Sequence, residues 1–145
     1  MKVKANALSL GGYRLPAEAE WELACRAGSV TDRSMGEAED LLSKYAWHMA
    51  NSPSKSRPVG LLRPNDLGLF DLHGNAWEWC HNRYEDFTDM RDRNMDDKMD
   101  NKSLRSLRGG GLFNSPMILP SAYRDRFAPA IRNSDNGFRP ARTFR

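Results

Sequence analysis

Asp71-Leu72-His73-Gly74-Asn75-Ala76-Trp77-Glu78-Trp79-Cys80 decides the fold, because turn residues, large aromatics and a carboxylate pair crowd together here as nowhere else in the chain. Trp77 and Trp79 alternate with Glu78, so an extended backbone sends both indoles to one face and the carboxylate to the other. Just upstream, Pro64-Asn65-Asp66-Leu67-Gly68 is a turn with a mechanism: proline fixes φ, Asn and Asp side chains bond their own backbone, and glycine accepts positive φ. Gly74-Asn75 breaks the chain again. Between the turns, Leu69-Phe70-Asp71-Leu72 is too short for a helix and apolar enough to predict a buried strand.

Further upstream, Gly11-Gly12-Tyr13-Arg14-Leu15-Pro16 predicts a loop entering a helix from Ala17 to Ala27. Trp21, Ala24 and Cys25 fall on one face of that helix, and Gly28 follows its end as a C′ residue. Ala17 stands where Ser or Thr would partner Glu20, a weak start that costs about 1 kcal/mol. A second short helix is predicted from Glu37 to Lys44 with Leu41 and Leu42 inward, then a polar loop from Asn51 to Pro58 and a brief edge strand from Val59 to Leu62. Downstream, Asn82 to Ser103 is a charged, Met-containing surface excursion. Strands are predicted at Ser106-Leu107-Arg108, Ser121 to Arg126 and Gly137 to Phe144. The class is therefore α+β: two short helices, then irregular β-structure carried by many turns.

A length of 145 residues bounds one domain or part of one. The net charge of +3 is mild, but it is unevenly spread. From Leu104 onward eight arginines face only Asp125 and Asp135, whereas Glu85 to Asp100 holds seven carboxylates against Arg91, Arg93 and Lys98. Mutual neutralisation or solvent exposure explains this more simply than a nucleic-acid footprint, which stands as the third reading of function. No apolar run approaches the roughly 20 residues of a membrane span, and Met1 to Asn6 leads into no signal-peptide core. The expectation is a soluble, cytoplasmic product with no membrane partner. Cys25 and Cys80 make no disulfide framework.

Several motifs weigh less than they first suggest. Asp92-Arg93-Asn94-Met95-Asp96-Asp97 opens like an EF-hand, yet position 6 is Asp97 rather than glycine and position 12 is Ser103 rather than glutamate. His48, His73 and His81 share no zinc spacing with the cysteines. Cys80 beside His81 raises a nucleophile, but a thiol flanked by tryptophans reads better as a small buried hydrophobe. Arg108-Gly109-Gly110-Gly111 echoes RNA-binding repeats but occurs once, and its glycines predict close approach of two backbones. Asn101-Lys102-Ser103 has the pattern of a glycosylation acceptor, which matters only in a secreted protein.

Four ordered blocks go further. Gly12 to Glu22, Asn65 to Trp79, Leu107-Arg108-Gly109-Gly110 and Gly137-Phe138-Arg139 together closely resemble the formylglycine-generating enzyme, or sulfatase-modifying factor, family, over nearly everything from Gly12 to Phe144. The likeness is greatest to the bacterial branch often attached to serine/threonine kinases. What the resemblance implies is a variant of the C-type lectin fold with little regular secondary structure. It also implies calcium, with the Asp71 side chain, the Gly74 and Ala76 carbonyls and the Glu78 carboxylate as ligands, an all-oxygen set suited to a hard cation. The other reading of these acids is that Asp71 caps its turn and Glu78 pairs with an arginine. The family's second calcium site has no counterpart in Asn51 to Pro58.

Active family members oxidise a sulfatase cysteine to formylglycine with molecular oxygen and a copper ion held by two cysteines after the Arg-Gly-Gly block. Here Gly111 to Pro120 contains no cysteine, and Met117 alone cannot hold Cu(I), so the resemblance implies no catalytic residues and no copper. Cys25 matches a position some members use for a disulfide, but its partner position is Pro140. The expected role is a binding or scaffold module for a protein or peptide, through a ligand-binding surface between Asn114 and Arg124. The rival reading is an active oxidase. Residues 1–11 are expected to lie outside the domain, which occupies 12–145 and resembles the C-terminal portion of a longer family domain. Such an N-terminal truncation predicts uncovered sheet edges that invite self-association.

Overall fold

A computed structural model describes residues 12–52, 54–85, 100 and 102–143. The first strand, β1 (Gly12–Arg14), leads through Leu15-Pro16 into helix α1 (Glu18–Arg26). Ala17 occupies the N-cap position with an extended backbone. Its methyl group accepts nothing, so only half of the capping exchange is made: the Glu20 carboxylate accepts from the Ala17 N–H at 2.8 Å. Arg14 then grips Glu20 with two hydrogen bonds of 2.6 and 2.7 Å, tying β1 to the helix start. The helix ends one residue earlier than its apolar spacing predicts, because Ala27 turns left-handed at φ 49° and Gly28 follows at 87°.

Helix α2 shrinks to Glu39–Leu42, with Leu42 buried and Leu41 only partly covered. The predicted edge strand at Val59 to Leu62 is instead a pair of turns: Val59 and Leu61 project into solvent and Gly60 takes φ 77°. The predicted strand Leu69 to Leu72 is likewise absent. Asp71 adopts φ 59°, incompatible with a ladder, and its carboxylate accepts the Gly60 N–H. Side-chain bonding to the backbone has replaced strand pairing there.

Strand β2 (Trp77–Arg83) lies between β3 (Arg105–Arg108), to which it is antiparallel, and the short parallel β5 (Asn136–Gly137). Strand β4 (Arg124–Phe127) adds to the far side of β3, giving the order β4-β3-β2-β5. The register of β2 on β3 shifts between Trp79 and Arg83. β4 begins at Arg124 because Pro120 to Tyr123 is a turn, closed by the Tyr123 N–H on the Pro120 carbonyl. The predicted strand Gly137 to Phe144 divides at Pro140, which cannot donate to a ladder; its second part, β6 (Ala141–Thr143), pairs antiparallel with β1 in a separate sheet.

Alternation along β2 holds, but the sides have unexpected tasks. Glu78 and Cys80, rather than the two indoles, meet α1: Trp21, Cys25, Leu72 and Cys80 form one core cluster. Trp77 is buried on the opposite face, 6.1 Å from the Tyr123 ring, while Trp79 is only half-buried. A second cluster joins Leu42, Ala46 and Leu119, linking α2 to the loop after β3. The glycines after Arg108 permit close approaches, to backbone at Gly109 as expected and to a side chain at Gly110. A Cβ at Gly109 would sit 3.2 Å from the Leu72 carbonyl, and one at Gly110 would sit 2.4 Å from the Leu119 side chain. Residues 1–11, most of the excursion before Ser103 and the EF-hand-like run at 92–97 lie outside the described residues.

Candidate functional site

The turn from Asp71 to Glu78 is built by backbone conformations that few residues adopt. Gly74 takes φ 117° so close to Trp47 that a Cβ would lie 2.2 Å from the Trp47 carbonyl oxygen. Asn75, at φ 66°, donates its N–H to that same oxygen at 2.8 Å. Its side chain then behaves like a strand partner for Arg57: Oδ1 accepts the Arg57 N–H at 2.9 Å and Nδ2 donates to the Arg57 carbonyl at 3.1 Å. The Arg57 guanidinium in turn stacks 5.2 Å from the Trp47 ring centre. Trp77 N–H closes the turn on the Asp135 carbonyl. Asn75 is the site-building residue that sequence reasoning treated only as punctuation; its signal was an Asn able to take positive φ next to a glycine.

Asp71, Gly74, Ala76 and Glu78 all line one cavity of about 460 Å³, which Phe138, Arg139 and Pro140 also line. Asp71 is 7% exposed. Its Oδ2 accepts from Gly60 N–H at 2.7 Å, while Oδ1 is buried without a hydrogen-bond donor. Glu78 is equally deep. Its Oε2 accepts from Trp21 Nε1 at 2.6 Å and Arg139 Nε at 3.0 Å, and its Oε1 accepts from Arg139 Nη2 at 2.8 Å. Arg139 also donates to the Phe70 carbonyl at 2.8 Å. Of the two pairings named for these acids in the sequence, the arginine partner of Glu78 is present, whereas Asp71 bonds the distant Gly60 N–H rather than capping its own turn.

Asn114 and Arg124 have different partners. The Asn114 Oδ1 accepts from Gly111 N–H at 2.6 Å, and its carbonyl accepts the Met49 N–H, so it locks the loop after β3. Arg124 is 6% exposed and turns inward, with Nε and Nη2 on the two oxygens of Glu18 at 2.5 and 2.8 Å and its guanidinium over the Tyr84 ring. Burial works to raise the Glu18 carboxyl; hydrogen bonds from Arg124 and Ser106, with the charges of Arg124 and Arg108, outweigh it and hold it below the ordinary range.

Arg108, fully buried, is a second anchor missed from sequence. It pairs with Glu22, lies over the Trp21 ring, and donates to the Ala122 and Tyr123 carbonyls at 2.8 Å each, pinning the end of the 111–123 loop. Its arginine reads from sequence as one of many. Only the sheet register, which sets it beside Arg124 and opposite Glu78, brings it under α1.

The two thiols are core groups. Burial pushes the Cys25 thiol up to about 12 and raises that of Cys80 further. Cys25 lies 3.5 Å from His73 Nε2, and burial lowers His73 to about 4. A protonated thiol beside a neutral imidazole is not an activated nucleophile. Among the described residues, no three His, Cys, Asp or Glu side chains converge as metal ligands.

A model of the sulfatase-modifying factor enzyme 1-like domain matches residues 2–144. The chain belongs to this family. Its sequence is 35% identical over 135 residues to the serine/threonine-protein kinase Pkn1 of Chlamydia trachomatis, covering 90% of the chain and 21% of the kinase. It is 29% identical over 143 residues to the formylglycine-generating enzyme of Streptomyces coelicolor, covering 86% of the chain and 42% of the enzyme. Among solved structures, Treponema denticola variable protein 1 superposes with a TM-score of 0.80 at 36% identity, over 90% of this chain and 47% of that one. The sulfatase-modifying factor domain here thus has the expected α+β, C-type-lectin-like architecture, and it spans less than half the length of these relatives. No helix among the described residues is long and apolar enough to cross a membrane.

Proposed function

We propose that this sulfatase-modifying factor domain is catalytically silent and acts as a binding module for a protein or peptide. One observation carries the proposal: the 111–120 loop has no cysteine, and the chain's two thiols, Cys25 and Cys80, are 0% and 1% exposed inside the core. Copper therefore does not fit. A cuprous ion asks for a pair of soft sulfur donors, and what the loop offers is Asn114, Ser115 and the single thioether of Met117. The binding face is the surface around Asn114, where Met49, Phe113 and Met117 are exposed at 60%, 50% and 80%. Exposed methionine and aromatic side chains suit a partner's apolar residues, while Arg124, turned inward onto Glu18, ties β4 to α1.

We also infer that calcium is the domain's cation, at Asp71, Gly74, Ala76 and Glu78. Hard oxygen donors surround one cavity, and the Asp71 Oδ1, buried without a donor, is a lone pair that a cation would satisfy. There the ion would supply charge neutralisation and bind the turn to β2, a structural task rather than a chemical one.

The test of silence is incubation of the protein with a cysteine peptide of the sulfatase motif, copper and oxygen. No aldehyde is expected; turnover that Asn114→Ala abolishes would overturn the proposal.

A further inference from the structure

The charged side chains lining the Asp71 cavity are Asp71, Glu78 and Arg139, two negative charges against one positive. The guanidinium is seated as firmly as a structural ion: two hydrogen bonds to Glu78 and one to the Phe70 carbonyl, with only 26% of its side chain exposed. Glu78 completes its set with the Trp21 indole N–H, so each of its oxygens already has a donor. With Arg139 in place the cavity lacks one positive charge; with Arg139 withdrawn it lacks two, the charge of a divalent ion. A divalent ion on the Glu78 oxygens would meet the guanidinium across the same carboxylate in a buried site, where like charges are weakly screened.

We propose that Arg139 is the resident cation of this cavity and sets its metal affinity, so that calcium and the guanidinium compete for Glu78. This inference rests on the calcium assignment above and goes beyond it, because it names the chain's own residue that decides how tightly the ion is held. Uptake of the ion is coupled to release of Arg139 from Glu78 and from the Phe70 carbonyl. That release loosens the wall formed by Phe138, whose ring is 70% exposed.

Isothermal titration of calcium chloride into the full chain and into Arg139→Gln tests this, with circular dichroism confirming the fold of each. The expected result is at least tenfold tighter binding to the variant, or binding by the variant where the parent shows none. Equal or weaker binding by Arg139→Gln overturns the competition and leaves the calcium assignment standing. Absence of binding by both overturns the calcium assignment and the competition together. Should Arg139→Gln not fold, Arg139→Lys carries the test: its single ammonium cannot hold both Glu78 oxygens as the fork does, so several-fold tighter binding is expected, and equal or weaker binding is the contradicting outcome.

Discussion

His73 shows how a single residue is committed by its surroundings. Its Nδ1–H donates to the Leu119 carbonyl at 2.8 Å, which leaves Nε2 to accept from the Ser34 hydroxyl at 3.1 Å and the Ser34 N–H at 3.3 Å. The ring is 3% exposed, and burial holds its proton affinity down to about 4 from 6.5. Between those values the unfolded chain binds more protons than the native one, so stability falls as pH falls from 6.5 toward 4. The loss between pH 7 and pH 5 is about 2 kcal/mol. Urea unfolding of the parent and of His73→Gln checks it: the parent should lose that amount and the variant should show a flatter pH dependence. An equal slope in both would place the titrating group elsewhere. Glu18, held below its ordinary range, adds to the acid sensitivity at lower pH, since its contribution is lost as pH falls through its depressed value. Nothing in the spacing of the three histidines distinguishes His73 from a surface residue. Its partners come from positions 34 and 119, a distance in sequence that no local pattern reports.

At the scale of elements, α1 and the Asp71–Glu78 turn show what local chemistry can and cannot fix. The helix was legible because Trp21 and Cys25 repeat at helical spacing and Pro16 precedes it. Its N-cap defect is legible too. Ala17→Ser supplies the missing acceptor at an extended N-cap while Glu20 already completes the other half, so thermal unfolding should report a gain of about 1 kcal/mol. No gain would mean that Pro16 and Arg14 already fix the helix start. The turn is legible only in outline. Gly74 and Asn75 announced a break, but the cause of the glycine is the Trp47 carbonyl, which only the folded chain brings close. Gly74→Ala should destabilise by about 3 kcal/mol or more, because backbone meets backbone and φ 117° is strained for any side chain. A change under 1 kcal/mol in urea unfolding would contradict that packing. The failed strand at Leu69–Leu72 has the same origin: apolar content suggested a ladder, and the tertiary bond between Asp71 and Gly60 decided for a left-handed turn.

At the scale of the molecule, the described residues form two small sheets and two short helices with much of the rest in turns, and buried ion pairs supply cohesion that regular structure does not. Glu18, Glu22, Arg108 and Arg124 join α1 to β3 and β4, while Glu78 and Arg139 join β2 to the segment between the two sheets. The architecture was readable from four motif blocks in order, since each block marks one of these junctions. The arginine-rich C-terminal half was not readable from charge count, because Arg108, Arg124 and Arg139 face inward. The same fold that keeps those charges buried also keeps both thiols buried in the core. The most direct measurement is cuprous ion titration of the purified chain followed by mass analysis of a cysteine-containing sulfatase-motif peptide under oxygen. No stoichiometric copper and an unchanged peptide mass are expected. One equivalent of bound Cu(I) with conversion of the peptide cysteine to the aldehyde would contradict catalytic silence.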